Sequence, residues 1–484
     1  MKKISILIVG IIVLCSNLFS QNYLLSTTYI RTYTKFQIDS VLDANGATSA
    51  YLNNKFTVDI YKLNYLCKDA FDTLVAASGL LLIPKDTCDL PVCSYNHGTV
   101  GKKSEAPSTF NGKETFIGMI MGSNGYLSIM PDYLGLGDGA GMHPYQHAKT
   151  EAYANIYMLK ALKEYCVSNN INLNNQLFLC GYSQGGHAAM VTQRMIEKDF
   201  STEFTVSACA PMSGAYDMSG TMVDLMLSNN PYPNPGYLPY LVLGWNPIYQ
   251  MYPNISVVFK TPYNSTLPPL FDGTHTMGNI SAHMPSVPKL IFDSTDLYNF
   301  TNNLSHPFRL ALHENNAYTN WTPVAPMRMF YCSADTQVPY ANSIVARDSL
   351  KAHGCATCDA FLVSATLDHI DCANYAFFMA KQYMDSIKYN ACTINTTSVN
   401  KVACAGYKLG IYPNPASDII YIDNSLGYVF EISICDLSGR VLYKEKNYEN
   451  NKPIKIDFLD KGVYAIVIKS GTNVQLSKMF VKAR

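Results

Sequence analysis

The chain has 484 residues, 48% of them hydrophobic and only 15% charged, which describes a globular protein with material for two or three domains and excludes a disordered one. Its 36 basic and 36 acidic residues give a formal charge of zero, so nothing in the charge points to nucleic acid or another polyanion as a partner.

The chain opens with MKKISILIVGIIVLCSNLFSQ, in which two lysines precede an apolar run over residues 4–14 and a small polar stretch up to Ser20. That layout predicts a secretory signal peptide over residues 1–20, because the apolar run is too short to span a bilayer. Leu14 occupies the place where a lipoprotein signal at Cys15 would need a small residue. No later stretch is long and apolar enough for a transmembrane helix, so the mature protein is expected to be exported and soluble. Without Cys15, 13 of the 14 cysteines remain, and local disulfides are the default in an oxidising compartment. Cys88/Cys93 and Cys355/Cys358 are the nearest pairs. GCATC around Cys355 has no second Cys/His pair at ligand spacing, so neither a metal nor a cofactor is expected.

NKFTVDIYKLNYL and DTLVAASGLLLIPK read as an entering antiparallel hairpin, and PVCSYNHGTV as a third strand ending in a glycine turn. GYLSIMPDYLGLGDG reads as a strand and a Gly-rich loop. TEAYANIYMLKALKEYC carries Ile156, Leu159, Leu162 and Cys166 at helical spacing, with Thr150 as its expected cap. QLFLCG, FTVSACAPM, PMRMFYCS and CDAFLVSA read as further strands, with a helix starting at Gln184 and helical patterns after the last two. This alternation predicts an α/β fold, a doubly wound and mostly parallel sheet, over residues 21–390. Residues 215–321 break it. They are rich in Pro, Tyr, Met and Leu and too long for a structureless loop. A folded cap over about 215–320 is expected, lying as a lid across the strand ends and supplying an apolar pocket rather than serving as ornament. Residues 391–408 read as a polar linker, and 409–484 as a small all-β sandwich of short strands and turns.

Between the strand QLFLC and the helix HAAMVTQRMIEK lies Gly181-Tyr182-Ser183-Gln184-Gly185. Glycines on both sides allow a sharp strand-to-helix turn that lifts the serine, and the helix start points N–H groups and a positive dipole end at it. A serine hydroxyl needs a base, which in turn needs an acid to orient it. Asp335 ends a strand in FYCSADTQVPY, and His369 follows the last strand in LVSATLDHIDCANY. The order Ser183, Asp335, His369 is the one this strand–turn–helix motif requires. The plain readings are an Asp335 that only caps the next helix and a His369 that only lies in a loop. For the oxyanion donors we expect the N–H of Gln184 and, from NHGTVG after the third strand, that of Thr99, with Gly98 as second choice. His97 is read as stabilising its turn, and His187, one helical turn past Ser183, as packing.

YNHGTVG, GYLSIMPDYLGLGDG, GYSQGGHAA, APMSGAYDM and ADTQVPY…DH together resemble the secretory lipase/esterase family of the α/β-hydrolase superfamily, over about residues 53–389. The resemblance implies a carboxylic-ester hydrolase working through an acyl-enzyme on small-molecule or lipid esters, with a lid between the sixth and seventh strands. Fungal members carry GYSGG where this chain has GYSQGG. YPNPASD, DLSGRV, LDKGVYAIVI and KMFVKAR in the last 75 or so residues resemble the type A sorting domain of the type IX secretion system. That implies handling by the type IX machinery and passage through the periplasm to the surface or medium of a Gram-negative cell; composition alone leaves a carbohydrate-binding module as the competing reading. Two other functions fit the same fold. One is a prolyl-oligopeptidase-type peptidase, although no propeller-sized segment precedes the core. The other is a non-catalytic surface binding protein.

Overall fold

A computed structural model describes residues 22–44, 54–85, 89–389, 409–424, 430–436, 440–470 and 474–483. The expected signal peptide, the linker and Cys88 lie outside these residues.

Nine strands form the main sheet: β1 (Leu24–Tyr33), β2 (Val58–Lys68), β3 (Leu74–Pro84), β4 (Leu90–Asn96), β5 (Leu127–Pro131), β6 (Leu173–Tyr182), β7 (Val206–Met212), β8 (Met327–Cys332) and β9 (Cys358–Ser364). Their spatial order is β1-β2-β3-β5-β4-β6-β7-β8-β9. The expected hairpin is β2/β3, paired without a break from Val58↔Pro84 to Lys68↔Leu74. From β5 onward every pairing is parallel. Strand β1 escaped the sequence reading because most of its side chains are exposed, so no apolar face marks it.

The described α-helices are α1 (Lys35–Ala44), α2 (Thr115–Ser123), α3 (Ala148–Ser168), α4 (Gln184–Asp199), α5 (Thr221–Leu227), α6 (Tyr237–Tyr249), α7 (Tyr263–Thr266), α8 (Met277–Ser281), α9 (Ser294–Asn302), α10 (Pro307–Glu314), α11 (Ala341–Ala352) and α12 (His369–Ile387). Strand alternation divides the core between the two faces of the sheet. Leu177 and Leu179 of β6 pack in the cluster that holds residues of α3, α4 and α11. Phe178 and Cys180 pack in the other, with residues of α1, α2 and α12. Helix α3 starts at Ala148 behind His147, three residues earlier than expected. Thr150 therefore lies inside the first turn, where its hydroxyl donates to His147 O at 3.2 Å instead of capping the helix.

Helices α5–α10 lie between β7 and β8 and share an apolar core in which Trp245, Phe259 and Phe308 are buried. With edge strand β1 set aside, this segment leaves the sheet after the sixth of eight strands and returns as the seventh. Trp245 Nε1 donates to Tyr145 O at 2.7 Å and so fastens it to the loop after β5. No described helix is long and apolar enough to cross a membrane.

The C-terminal region forms two sheets whose strand pairings are antiparallel. One sheet is β10-β11-β14 (Leu409–Tyr412, Ile419–Asn424, Ile454–Lys455). The other is β13-β12-β15-β16 (Val441–Tyr448, Phe430–Cys435, Gly462–Ser470, Val474–Lys482). Ile420, Ile422, Ile432, Ile434, Ile466 and Phe480 share one core.

Cys355–Cys358 is bridged, as its spacing suggested. The expected Cys88–Cys93 bridge is not formed. Alternation along β4 turns Cys93 into the core, where it is a buried free thiol with its sulfur 3.8 Å from that of Cys180 on β6. A second bridge, Cys332–Cys372, joins the end of β8 to the first turn of α12 across 40 residues.

Candidate active site

Ser183 sits between β6 and α4 with φ 59° and ψ −119°, a conformation L-residues rarely adopt and one that costs on the order of 1–3 kcal/mol. Two things hold it there. Its N–H donates to Met212 O of β7 at 2.9 Å. The flanking glycines allow close approach, since a Cβ on Gly185 would collide with Asn96 O and one on Gly181 with Gly185 O.

His369 opens α12, and Asp368 caps that helix by accepting the N–H groups of Ile370 (2.9 Å) and Asp371 (3.0 Å). The Tyr182 hydroxyl donates to His369 O, and its ring lies 5.0 Å from the imidazole, so the residue before the serine also holds the histidine. His369 Nε2 is 2.9 Å from Ser183 Oγ, and Nδ1 is 2.6 Å from Asp335 Oδ2. Asp335 Oδ1 accepts the N–H groups of Gln337 (2.9 Å) and Val338 (2.8 Å). Its capping and its pairing with His369 therefore coexist on separate oxygens. These partners assign the Nδ1–H tautomer, which leaves Nε2 to accept the serine proton. Ser183, Asp335 and His369 are 8%, 5% and 4% exposed. The Cys332–Cys372 bridge ties the roots of the two loops that carry Asp335 and His369.

Of the residues expected near the oxyanion, Gln184 is the first residue of α4, so its N–H has no intrahelical acceptor. The Thr99 hydroxyl shares a 2.9 Å hydrogen bond with that of Tyr145. Gly98 is a correction, because its N–H is already committed to the Glu114 carboxylate at 3.0 and 3.2 Å. Glu114 lies 16 residues further along and also accepts the Tyr95 hydroxyl at 2.6 Å; no local motif announces it. Both nitrogens of His97 face backbone carbonyls, Gly98 O at 2.7 Å and Asp132 O at 3.2 Å, which suits a turn-holding side chain. His187 is fully buried on α4, against Glu151. No group of His, Cys, Asp and Glu side chains able to hold a metal occurs among the described residues.

Ser183 opens onto a pocket of about 570 Å3 of empty space, mouth included. Most of its wall comes from α5 and α6 and their flanks, with Met218, Met222, Leu225, Met226, Leu238 and Leu241. A second, larger cavity of about 1030 Å3 is lined by Thr99, Glu105, Asn111, Lys113, Glu114 and Thr276 among others. The pocket at Ser183 is thus apolar, and the cavity at Thr99 mixes charged side chains with apolar ones.

Residues 410–482 match the family described as secretion system C-terminal sorting domain. Among solved structures, the chain is similar to a candidate hydrolase from Legionella pneumophila, at 27% identity and TM-score 0.71 over 78% of this chain and 100% of that one. It is also similar to the rice cell wall degrading esterase LipA of Xanthomonas oryzae in a ligand-bound form, at 29% identity and TM-score 0.65 over 75% and 96%. Candida antarctica lipase A shares the fold at 15% identity and TM-score 0.56 over 77% and 84%. No curated protein matches the sequence. The likenesses identify an α/β-hydrolase fold followed by a type IX sorting domain.

Proposed function

We propose that this α/β-hydrolase-fold chain, exported through its type IX sorting domain, is a serine esterase that cleaves carboxylic esters with an apolar acyl group. The observation that carries the reading is the hydrogen-bonded line Asp335–His369–Ser183 opening onto the apolar pocket under α5 and α6. His369 Nε2 takes the Ser183 proton as Oγ attacks the ester carbonyl, and Asp335 stabilises the imidazolium. The N–H groups of Gln184 and Thr99 receive the oxyanion. His369 then protonates the leaving alcohol, and water, deprotonated by the same imidazole, releases the acid from the acyl-enzyme. The acyl chain occupies the apolar pocket, and the leaving group faces the cavity beside Thr99 that carries Lys113 and Glu114. The esterase named among the similar structures supports this chemistry.

The test is hydrolysis of p-nitrophenyl esters from acetate to palmitate by the exported protein and by Ser183→Ala. The variant is expected to lose roughly 10⁴-fold or more in kcat/KM. Filling the pocket with Met222→Trp is expected to move the optimum to shorter chains. Undiminished hydrolysis in Ser183→Ala would overturn the reading. Activity on aminoacyl-prolyl substrates alone would move it to a peptidase.

A further inference from the structure

The residue after Ser183 is Gln184, and its side chain is fully buried. The amide nitrogen donates to Glu151 Oε1 of α3 and to His143 Nε2 of the loop after β5, each at 2.8 Å. Burial drives His143 down to a pKa of about 3, so it is neutral; its Nδ1–H goes to Leu134 O at 2.8 Å, which leaves Nε2 as an acceptor. Both amide hydrogens of Gln184 are therefore used, and the orientation of the amide is fixed. The other oxygen of Glu151 lies 2.7 Å from His187 Nδ1, and His187 Nε2 donates to Asn315 O at 2.9 Å, where the cap segment returns from α10. Glu151 and His187 have no exposed surface and line none of the cavities described above. The cluster reaches no substrate; what it touches is the residue after Ser183 and the exit of the cap.

The peptide between Ser183 and Gln184 is the one whose N–H faces a developing oxyanion, and its plane is set by the unusual Ser183 backbone angles. The N–H of Ser183, in the preceding peptide, fastens the residue on its N-terminal side to β7. We propose that Glu151, His187 and His143 are positioning residues which, by clamping the Gln184 side chain, fix the residue on the C-terminal side of the peptide and hold the Gln184 N–H toward the oxyanion. The proposal rests on the esterase reading of Ser183. It assigns a use to the buried Gln184 side chain and to a buried carboxylate whose one ion-pair partner among the described residues is His187.

The experiment is p-nitrophenyl butyrate kinetics on the full exported protein, with kcat expressed per site titrated by a fluorophosphonate. Gln184→Met keeps the volume and removes both donors; it is expected to lower kcat per titrated site about tenfold or more with KM within about twofold. Glu151→Ala is expected to do the same. Glu151→Gln still accepts from Gln184 and keeps a polar partner for His187 Nδ1, and is expected to retain most of the rate. A merely structural cluster would reduce the number of titratable sites and leave kcat per site alone. That result in Gln184→Met overturns the clamp, and the milder variant keeps the test open if Glu151→Ala does not fold. Ser183→Ala runs alongside. Hydrolysis surviving there sinks the esterase reading itself, whereas activity that dies with Ser183 and ignores Gln184→Met sinks only the clamp.

Discussion

At the scale of single residues, the contrast between Asp335 and Glu151 is instructive. Both are buried carboxylates facing a histidine Nδ1, at 2.6 and 2.7 Å. Only His369 directs its second nitrogen to a hydroxyl that can react; His187 directs its own to a backbone carbonyl. The partner beyond the imidazole separates a pair suited to moving a proton from a pair suited to holding one. Asp335→Asn keeps the volume and the loop but presents an N–H donor to His369 and favours the wrong tautomer. A fall in kcat of about 10⁴-fold is expected, with the folded structure intact by circular dichroism. A variant within tenfold of the parent would remove Asp335 from the mechanism. Ser183, Asp335 and His369 were legible in the sequence because each stands at the end of a strand, where local pattern and chain order both speak. Glu114, His143 and Glu151 were not, because each reaches Gly98 or Gln184 across distant parts of the chain with no spacing to betray it.

Among elements, the strands with two buried faces were readable as apolar runs, and the exposed edge strand β1 was not. Disulfides follow the same division. Cys355–Cys358 closes a turn and shows in its spacing, whereas Cys332–Cys372 links a strand to a helix 40 residues away and shows only in three dimensions. Closing a loop of that length stabilises the fold by roughly 3–4 kcal/mol in the chain-entropy account. This bridge has a second effect, because β8 leads into Asp335 and α12 begins with His369. The double variant Cys332→Ser/Cys372→Ser is expected to unfold at lower temperature and, well below that temperature, to hydrolyse p-nitrophenyl butyrate more slowly per titrated site. Unchanged calorimetric and kinetic values would show that packing alone holds the two loops.

Across the whole molecule, buried groups that stay uncharged set the response to acid. Burial lowers His143 and His147 from an ordinary 6.5 to about 3. Once unfolded, both regain protons below pH 6.5, so their neutral burial contributes stability fully above that pH and loses it as pH falls toward 3. The loss is about 1.4 kcal/mol per pH step for each histidine, while Asp132, whose carboxyl burial pushes upward, acts in the opposite sense on the acid limb. Urea midpoints measured from pH 7 to pH 4 are expected to fall steadily; a flat profile would mean that these imidazoles are protonated in the fold. The chain order of the site has its own consequence, in the time of synthesis. Ser183 and His369 are 186 positions apart, and the sorting domain begins only at residue 410. At about 5–20 residues per second, a ribosome finishes Ser183, Asp335 and His369 seconds before it makes the export address. A chain broken off early therefore lacks its passport, and whatever that passport carries outward has already been written in full through His369.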